Sequence, residues 1–306
     1  MVALAANAAV AIAKVAGGVL SGSAAMLAEA AHSLADTVNQ GFLLVSIAMA
    51  SRDPTPEQPF GYGRLRFLWT FMAAVGMFLA GAAFAVGYGV YQLTTGPHTG
   101  AYVAAYVTLA FSAVAEGSSW IRAIRHTRSD AREHALPMLR YLRESRDPNV
   151  KMVLFEDTAA MIGIVIALAG ILFDQLTGSS VFDPAASIAI GLLLITVAIW
   201  MAHDTSELLV GASARPDERA AIERTLDGFE QLDEVIEVLT MVLGPNSLLV
   251  AARVDFAAGL GEDDVENVSE QIERRLREAV PDVTEVFLDA TTSRAKAHPG
   301  SVTRAS

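Results

Sequence analysis

Cysteine is absent from the 306 residues of this chain, and charged residues are scarce. The absence of cysteine excludes disulfide bonds, zinc sites built from thiolates and catalysis by a thiol. Lysine, arginine, aspartate and glutamate together form only 18% of the sequence, and the net charge is −12. An acidic chain of this kind is not expected to bind nucleic acid, because that function requires a basic face.

Apolar residues, in contrast, are abundant and occur in long blocks. Hydrophobic residues make up 53% of the chain, and the mean hydropathy is +0.40. A helix that crosses a lipid bilayer requires about 20 mostly apolar residues. Six blocks predict six transmembrane helices, at residues 2–20, 24–50, 65–93, 101–121, 152–173 and 184–201. Since no basic region precedes the first block, we interpret it as a span and not as a cleaved signal peptide.

The loops between the predicted spans alternate in charge. Arg52 and Arg64 lie in the second loop and eight basic residues lie at 122–151, whereas the other loops contain none. Because basic residues favour cytoplasmic loops, this pattern predicts that both termini are cytoplasmic. The alanine-rich, cysteine-free composition favours a bacterial inner (plasma) membrane. Asp183 followed by Pro184 is typical of a helix start with a capping carboxylate.

The composition changes after the sixth predicted span. Residues 202–306 contain 21 acidic and 10 basic side chains, so almost the whole net charge belongs to this part. Hydrophobic periodicity predicts a helix at 216–226, strands at 235–243 and 248–256, a helix at 263–280 and a strand at 283–288. The predicted fold class is an all-α membrane domain of six transmembrane helices (1–203) plus a small α+β (αββαβ) C-terminal cytoplasmic domain (204–290). Residues 291–306 are polar and are expected to form a disordered tail.

Ionisable side chains in the second predicted span share one helix face. Glu29, His32 and Asp36 are spaced three and four residues apart, so they point to one side of the helix. Such groups are costly inside a membrane and usually face a bundle interior. His32 and Asp36, one turn apart, suit the binding of one metal ion through an imidazole nitrogen and a carboxylate oxygen. A structural ion pair is the alternative interpretation.

Further ionisable residues occur in the other predicted spans. Glu156 and Asp157 are adjacent in the fifth span, and neighbouring side chains point about 100° apart around a helix. Both are therefore not expected to reach the same ion from a regular helix. Glu116 lies in an otherwise apolar part of the fourth span, and Lys14 lies in the first. Glu156 could instead cap or snorkel at the span end, and Lys14 is expected to form an ion pair or to snorkel.

Three motifs in the sequence resemble those of the cation diffusion facilitator family. Residues 21–36 (SGSAAMLAEAAHSLAD) resemble the second-helix region of that family, and residues 59–64 (PFGYGR) resemble its loop before the third helix. Asp183 with residues 188–191 (IAIG) resembles the start of its sixth helix. The resemblance implies a homodimeric antiporter in a lipid bilayer, not an enzyme, that exports zinc or a similar divalent cation in exchange for protons.

The resemblance also implies a set of metal ligands. The family takes two ligands from its second helix, which correspond to His32 and Asp36, and two from its fifth helix, which correspond to Val153 and Asp157. One imidazole and carboxylates fit Zn²⁺, with Mn²⁺, Fe²⁺ or Co²⁺ as alternatives, and they disfavour copper(I). The family favours zinc among these ions.

The valine at position 153 leaves this four-ligand set incomplete. Glu156 could turn into the site if the helix start is irregular, Glu116 could reach it from the fourth span, or a water molecule could fill the position. Residues 140–163 resemble the branch of the family that includes mitochondrial zinc transporter nine, in which an acidic pair stands in place of the usual motif.

Two further departures from the family pattern affect the expected function. Tyr62 and Arg64 occupy the loop in which family members often have a histidine, and residues 204–297 contain no histidine. We therefore expect the C-terminal domain to dimerise and not to sense metal. A non-transporting membrane scaffold, in which the missing ligand has ended transport, is the alternative function. A zinc protease is not expected, because the chain has no His-Glu-x-x-His motif.

Overall fold

The computed structural model describes residues 2–95, 102–133, 136–145 and 148–291. The chain divides into two units, Met1–Leu209 and Val210–Ser306. In the first unit, a π-helical segment at Ala74–Phe78 joins two of the helices into one continuous stretch. The helices are α1 (Val2–Ser21), α2 (Ala24–Ala50), α3 (Leu65–Ala73), α4 (Leu79–Thr95), α5 (Tyr102–Glu133), α6 (Met138–Glu144), α7 (Pro148–Thr177) and α8 (Phe182–Val210).

Three helical stretches of the described chain are long and apolar enough to cross a membrane, where the sequence predicted six. They are Leu65–Thr95, Val150–Thr177 and Phe182–Val210, and Asn7–Ser21 is a shorter apolar helix. Helices α2 and α5 have sufficient length, with 27 and 32 residues. Their buried or partly buried polar side chains, such as Asp36 and Glu116, lower their mean hydropathy.

Two helices continue beyond the spans predicted for them. Helix α5 extends past residue 121 to Glu133, and α8 extends past residue 201 to Val210. Polar residues in these extensions reduce hydropathy without interrupting the helix. In α8, Asp204 accepts a hydrogen bond of 2.8 Å from Lys151 Nζ on α7. The helix ends before Gly211, whose φ of 118° is a conformation that favours glycine.

Asp183 in the first turn of α8 caps a different helix from the one that contains it. Its Oδ1 accepts a hydrogen bond of 2.5 Å from Ser23 Oγ, and its Oδ2 accepts one of 2.6 Å from the backbone N–H of Ala24. These donors lie at the N-terminus of α2, whose first N–H groups have no partner within the helix. The carboxylate therefore links the start of α8 to the start of α2. The dipole of α2 further stabilises the negative charge at its N-terminus.

The second unit is a three-stranded sheet with two helices, in the order α9 (Pro216–Asp227), β1 (Leu232–Gly244), β2 (Ser247–Phe256), α10 (Glu262–Ala279) and β3 (Val283–Ala290). Strand β1 pairs with β2 antiparallel, and β2 pairs with β3 parallel, so β2 is central. Ile222, Leu226, Ile272 and Leu276 of the helices are fully buried, as are Val250 and Val254 of β2. The predicted tail at 291–306 lies, apart from Thr291, outside the described residues.

One face of this sheet presents two rows of side chains to solvent. Leu239, Ala251 and Phe287 are register partners across the three strands, and Leu239 and Phe287 are 57% and 51% exposed. In the adjacent row, Arg253 forms ion pairs with Glu237 at 3.0 Å and with Asp289 at 2.9 Å. The hydrogen bond from Arg253 holds the pKa of Asp289 below its usual range. This face therefore combines an apolar row with a charged one.

Candidate metal centre

A cavity of about 200 Å³ lies among helices α1, α2, α5 and α7 of the first unit. Three acidic side chains from three different helices line it: Asp36 of α2, Glu116 of α5 and Asp157 of α7. Asn7 of α1 and Arg122 of α5 also contribute to its wall. The cavity is therefore acidic, and its carboxylates belong to helices that are distant in sequence.

The side chains of His32 and Asp36 meet at one side of this cavity. His32 Nε2 lies 3.4 Å from Asp36 Oδ2, and both side chains are buried. Neither ring nitrogen of His32 has a hydrogen-bond partner among the described residues, and the same holds for Asp36 Oδ1. The ring of Phe78, at the end of the π-helical segment, lies 6.1 Å from the His32 ring between centroids. Free nitrogen and oxygen atoms in a buried position are suited to binding a cation.

The adjacent acids of α7 point to different neighbours, as expected for successive helical residues. Glu156 faces α2, where its two carboxylate oxygens accept hydrogen bonds of 3.2 and 3.0 Å from Asn39 Nδ2. Its carboxyl group also contacts that of Asp36. Two carboxylates in contact repel each other unless a proton or a cation neutralises one of them. Asp157 instead faces the cavity, where it contacts Ser119 of α5.

Glu116 belongs to a buried ion-pair cluster at the other side of the cavity. Lys14 Nζ lies 2.8 Å from Glu29 Oε2 and 2.6 Å from Glu116 Oε1. Ser33 Oγ donates a second hydrogen bond, of 3.2 Å, to the same oxygen of Glu116. We name Lys14, Glu29 and Glu116 the lysine cluster. Lys14 is thus an ion-pair partner, which is one of the two roles that the sequence predicted.

The described residues contain no group of three or more histidine or acidic side chains that is already positioned around one point. The acidic side chains of the cavity therefore do not converge on one point in this conformation. Val153, at the position of the family's fourth ligand, does not line the cavity but an adjoining groove of about 350 Å³, which shares Ser119 and Arg122 with it.

Sequence reasoning missed three polar residues that contact the candidate ligands. These are Asn39, which binds Glu156, Ser33, which binds Glu116, and Ser119, which contacts Asp157. Asn39 follows Asp36 by three residues, so it continues the polar face of α2 and could have been found by extending that pattern. Ser33 and Ser119 give no such signal, because a serine in an apolar helix often bonds to its own backbone.

Ionisable side chains around an interior cavity of a helical bundle usually mark an ion or substrate pathway in a membrane protein. A family model described as "Cation efflux transmembrane domain" matches residues 1–210. The chain belongs to this family, which confirms the resemblance noted in the sequence. Members of the family are transporters, so the prediction that the chain is not an enzyme is also confirmed.

The chain is similar to several curated proteins. It is 33% identical over 238 residues to the protein named proton-coupled zinc antiporter SLC30A9, mitochondrial, of Xenopus laevis. This match covers 78% of the chain and 43% of the relative. The human protein of the same name is 32% identical, over 78% of this chain and 42% of the relative. Metal tolerance protein C4 of Arabidopsis thaliana is 30% identical, over 77% and 52%. The resemblance to the zinc transporter nine branch is confirmed, although the chain spans only about two fifths of the first two relatives.

The prediction of a bacterial inner membrane is wrong. The zinc antiporters with matches over 78% of the chain are mitochondrial proteins by their names. Composition could not make this distinction, because an alanine-rich sequence reflects close helix packing, which a bundle requires in any bilayer.

Proposed function

We propose that this chain exports a divalent metal cation, with zinc as its main substrate, through the cavity among α1, α2, α5 and α7. The observation that carries the proposal is that Asp36, Glu116 and Asp157 line one cavity of the bundle. His32 Nε2 lies 3.4 Å from Asp36 Oδ2, and His32 Nδ1 has no hydrogen-bond partner among the described residues. One imidazole with carboxylates suits zinc, and manganese, iron and cobalt are alternative substrates.

In this proposal, His32, Asp36 and Asp157 are metal ligands, and Glu156 or Glu116 completes the shell. Glu156 already contacts Asp36, so a cation between them would relieve the repulsion of the two carboxylates. Glu116 reaches the cavity from α5 and is the other candidate for the position at which Val153 offers no metal-binding atom. The unit carries six transmembrane helices, because α2 and α5 have the length of a span and direct their polar residues to this cavity.

Proton exchange follows from the same ligands. Carboxylates and imidazole must lose their protons to bind a metal, so metal binding releases protons and metal release takes them up. Rocking of the bundle around the site would alternate access from the two sides of the membrane. The relatives named proton-coupled zinc antiporters support this mechanism, and their mitochondrial location suggests a mitochondrial inner membrane for this chain.

The test is zinc transport by the purified full chain in proteoliposomes, with zinc and pH indicators sealed inside. Export predicts zinc flux in one direction and proton flux in the other, each dependent on the gradient of the other ion. The scaffold alternative, in which the chain has lost transport, predicts neither flux and no zinc binding. Zinc-free vesicles with the same protein content provide the baseline.

The exposed sheet face of the second unit supports a homodimer. Exposed apolar rows are typical of interaction surfaces, and Leu239, Ala251 and Phe287 form one next to ion-pairing side chains. We expect Phe287→Glu to convert the dimer to a monomer in light scattering of the detergent-solubilised chain, because a carboxylate in an apolar interface is not neutralised. Gln271→Glu, which adds the same charge on the exposed side of α10, is the matched control and should remain dimeric. A Phe287→Glu chain that stays dimeric would exclude this face.

A further inference from the structure

Lys14 places an ammonium group inside a bundle proposed to conduct cations. The side chains of Lys14 and Glu29 are fully buried. Their ammonium and carboxylate lie within 2.8 Å, and the same ammonium lies 2.6 Å from Glu116. The lysine cluster therefore has two carboxylates for one ammonium. A charge buried in this way is expensive unless it is paired, so Lys14 is held firmly by these acids.

Glu116 is the member of the lysine cluster that also belongs to the cavity. Its Oε1 is bound by Lys14 and by Ser33. Its Oε2 is buried without a hydrogen-bond partner among the described residues. Glu116 also lines the cavity together with Asp36 and Asp157. Its carboxylate is therefore in reach of both the Lys14 ammonium and the proposed position of the transported cation.

We propose that Lys14 is a positioning residue that competes with the transported divalent cation for Glu116. The proposal rests on the proposed function, since it needs a cation in the cavity. When the cation binds, Glu116 must share or give up its contact with the ammonium; when the cation leaves, the ammonium takes the carboxylate back. The competition weakens metal binding and so permits release, as transport requires sites that bind without trapping the ion.

The proposed competition between Lys14 and the transported cation makes distinct predictions for zinc affinity and for the turnover of transport. Without the ammonium, Glu116 would be free to bind the metal fully, so KM and Kd for zinc would fall while maximal turnover would also fall, because release would be slow. A residue that merely supports packing would lower the amount of active protein and leave KM unchanged. The split between KM and kcat therefore distinguishes a competing cation from a structural one.

The main variant is the double substitution Lys14→Met with Glu29→Gln. It removes one positive and one negative charge, so the lysine cluster keeps its net charge while Glu116 loses its partner. We expect zinc to bind at least about 10-fold more tightly, equal to about 1.4 kcal/mol, in calorimetry of the purified full chain. In proteoliposomes, KM should fall by a similar factor and kcat should fall with it. Glu29→Gln alone retains the Lys14–Glu116 pair and leaves Glu116 as the only acid of Lys14 in the lysine cluster. It is the matched control, and its Kd for zinc should not fall below that of the unmodified chain.

Ser33→Ala is a second variant, and it is less disruptive to folding than the double variant because it leaves the buried Lys14–Glu29 ion pair in place. It removes only the weaker donor to Glu116 Oε1, so zinc affinity should rise by a smaller factor of about 2 to 3.

Lys14→Arg keeps the charge and should retain a Kd close to that of the unmodified chain. An unchanged or weakened zinc affinity in Ser33→Ala and in the double variant would overturn the competition while leaving the proposed function intact. An unmodified chain that neither binds nor transports zinc, manganese or cobalt would overturn the proposed function itself.

Discussion

Replacing Asp36 or Asp157 by asparagine is expected to lower zinc transport at least about 100-fold. The reason is that each change keeps the shape of the side chain and removes the charge that a divalent cation requires. Both residues line the same cavity from different helices, so neither substitution can be compensated by the other acid. Residues that only orient metal ligands already alter affinity by about 10- to 100-fold when mutated, and a ligand itself should matter at least as much.

The measurement is the initial rate of zinc accumulation in proteoliposomes at matched protein content. Glu57→Gln makes the same chemical change at an exposed acid outside the bundle and should transport as the unmodified chain does. Size-exclusion chromatography should show unchanged assembly of the asparagine variants, which separates a lost ligand from a lost fold. Normal transport by Asp157→Asn would remove α7 from the site and leave the proposed ligand set without support.

Replacing Gly163 by alanine is expected to destabilise the bundle by about 3–5 kcal/mol. A Cβ atom at this position of α7 would lie 2.0 Å from Glu29 Oε1. The end of a glutamate side chain can usually move aside, but Glu29 is fully buried and paired with Lys14. Moving it would leave an unpaired charge in the interior, which is the costly outcome of breaking a buried ion pair.

Thermal unfolding in detergent should therefore show Tm lower by roughly 10 °C for Gly163→Ala. Gly87→Ala is the matched control, because that glycine is also helical and a Cβ atom there meets nothing within 4 Å. It should be neutral or stabilising by up to about 1 kcal/mol, since alanine favours helix more than glycine does. Equal Tm values for the two variants would show that Glu29 is free to move and that the lysine cluster is less rigid than its distances indicate.

The sequence predicted helices well where their apolar and polar faces are regular. The second span was placed at 24–50, and α2 has the same bounds, because Ser23 marks its start and accepts a hydrogen bond from the N–H of Met26. The fourth span is predicted at 101–121, whereas α5 continues to Glu133, so the sequence did not indicate the length of this helix. Hydropathy reports where a helix leaves an apolar environment, whereas the backbone continues as long as its own hydrogen bonds are favourable.

The sequence indicated the candidate residues of the site more readily than the contacts between them. The spacing of His32 and Asp36 placed them on one helix face, and the 100° between Glu156 and Asp157 separated their directions. The partners of Lys14 could not be predicted, because the periodicity of a single helix does not reveal which helices pack against it. The same limit applies to Asp183, which was expected to cap its own helix and instead caps α2.

The link between Asp183 and the start of α2 constrains how the bundle can open. Two backbone N–H groups and the hydroxyl of Ser23 depend on this one carboxylate. Sliding α8 away from α2 at this point would leave all three donors unpaired in the interior, at a cost of about 1–3 kcal/mol for each. We therefore expect α2 and α8 to stay joined at this end, so that any opening of the bundle between them occurs at their opposite ends.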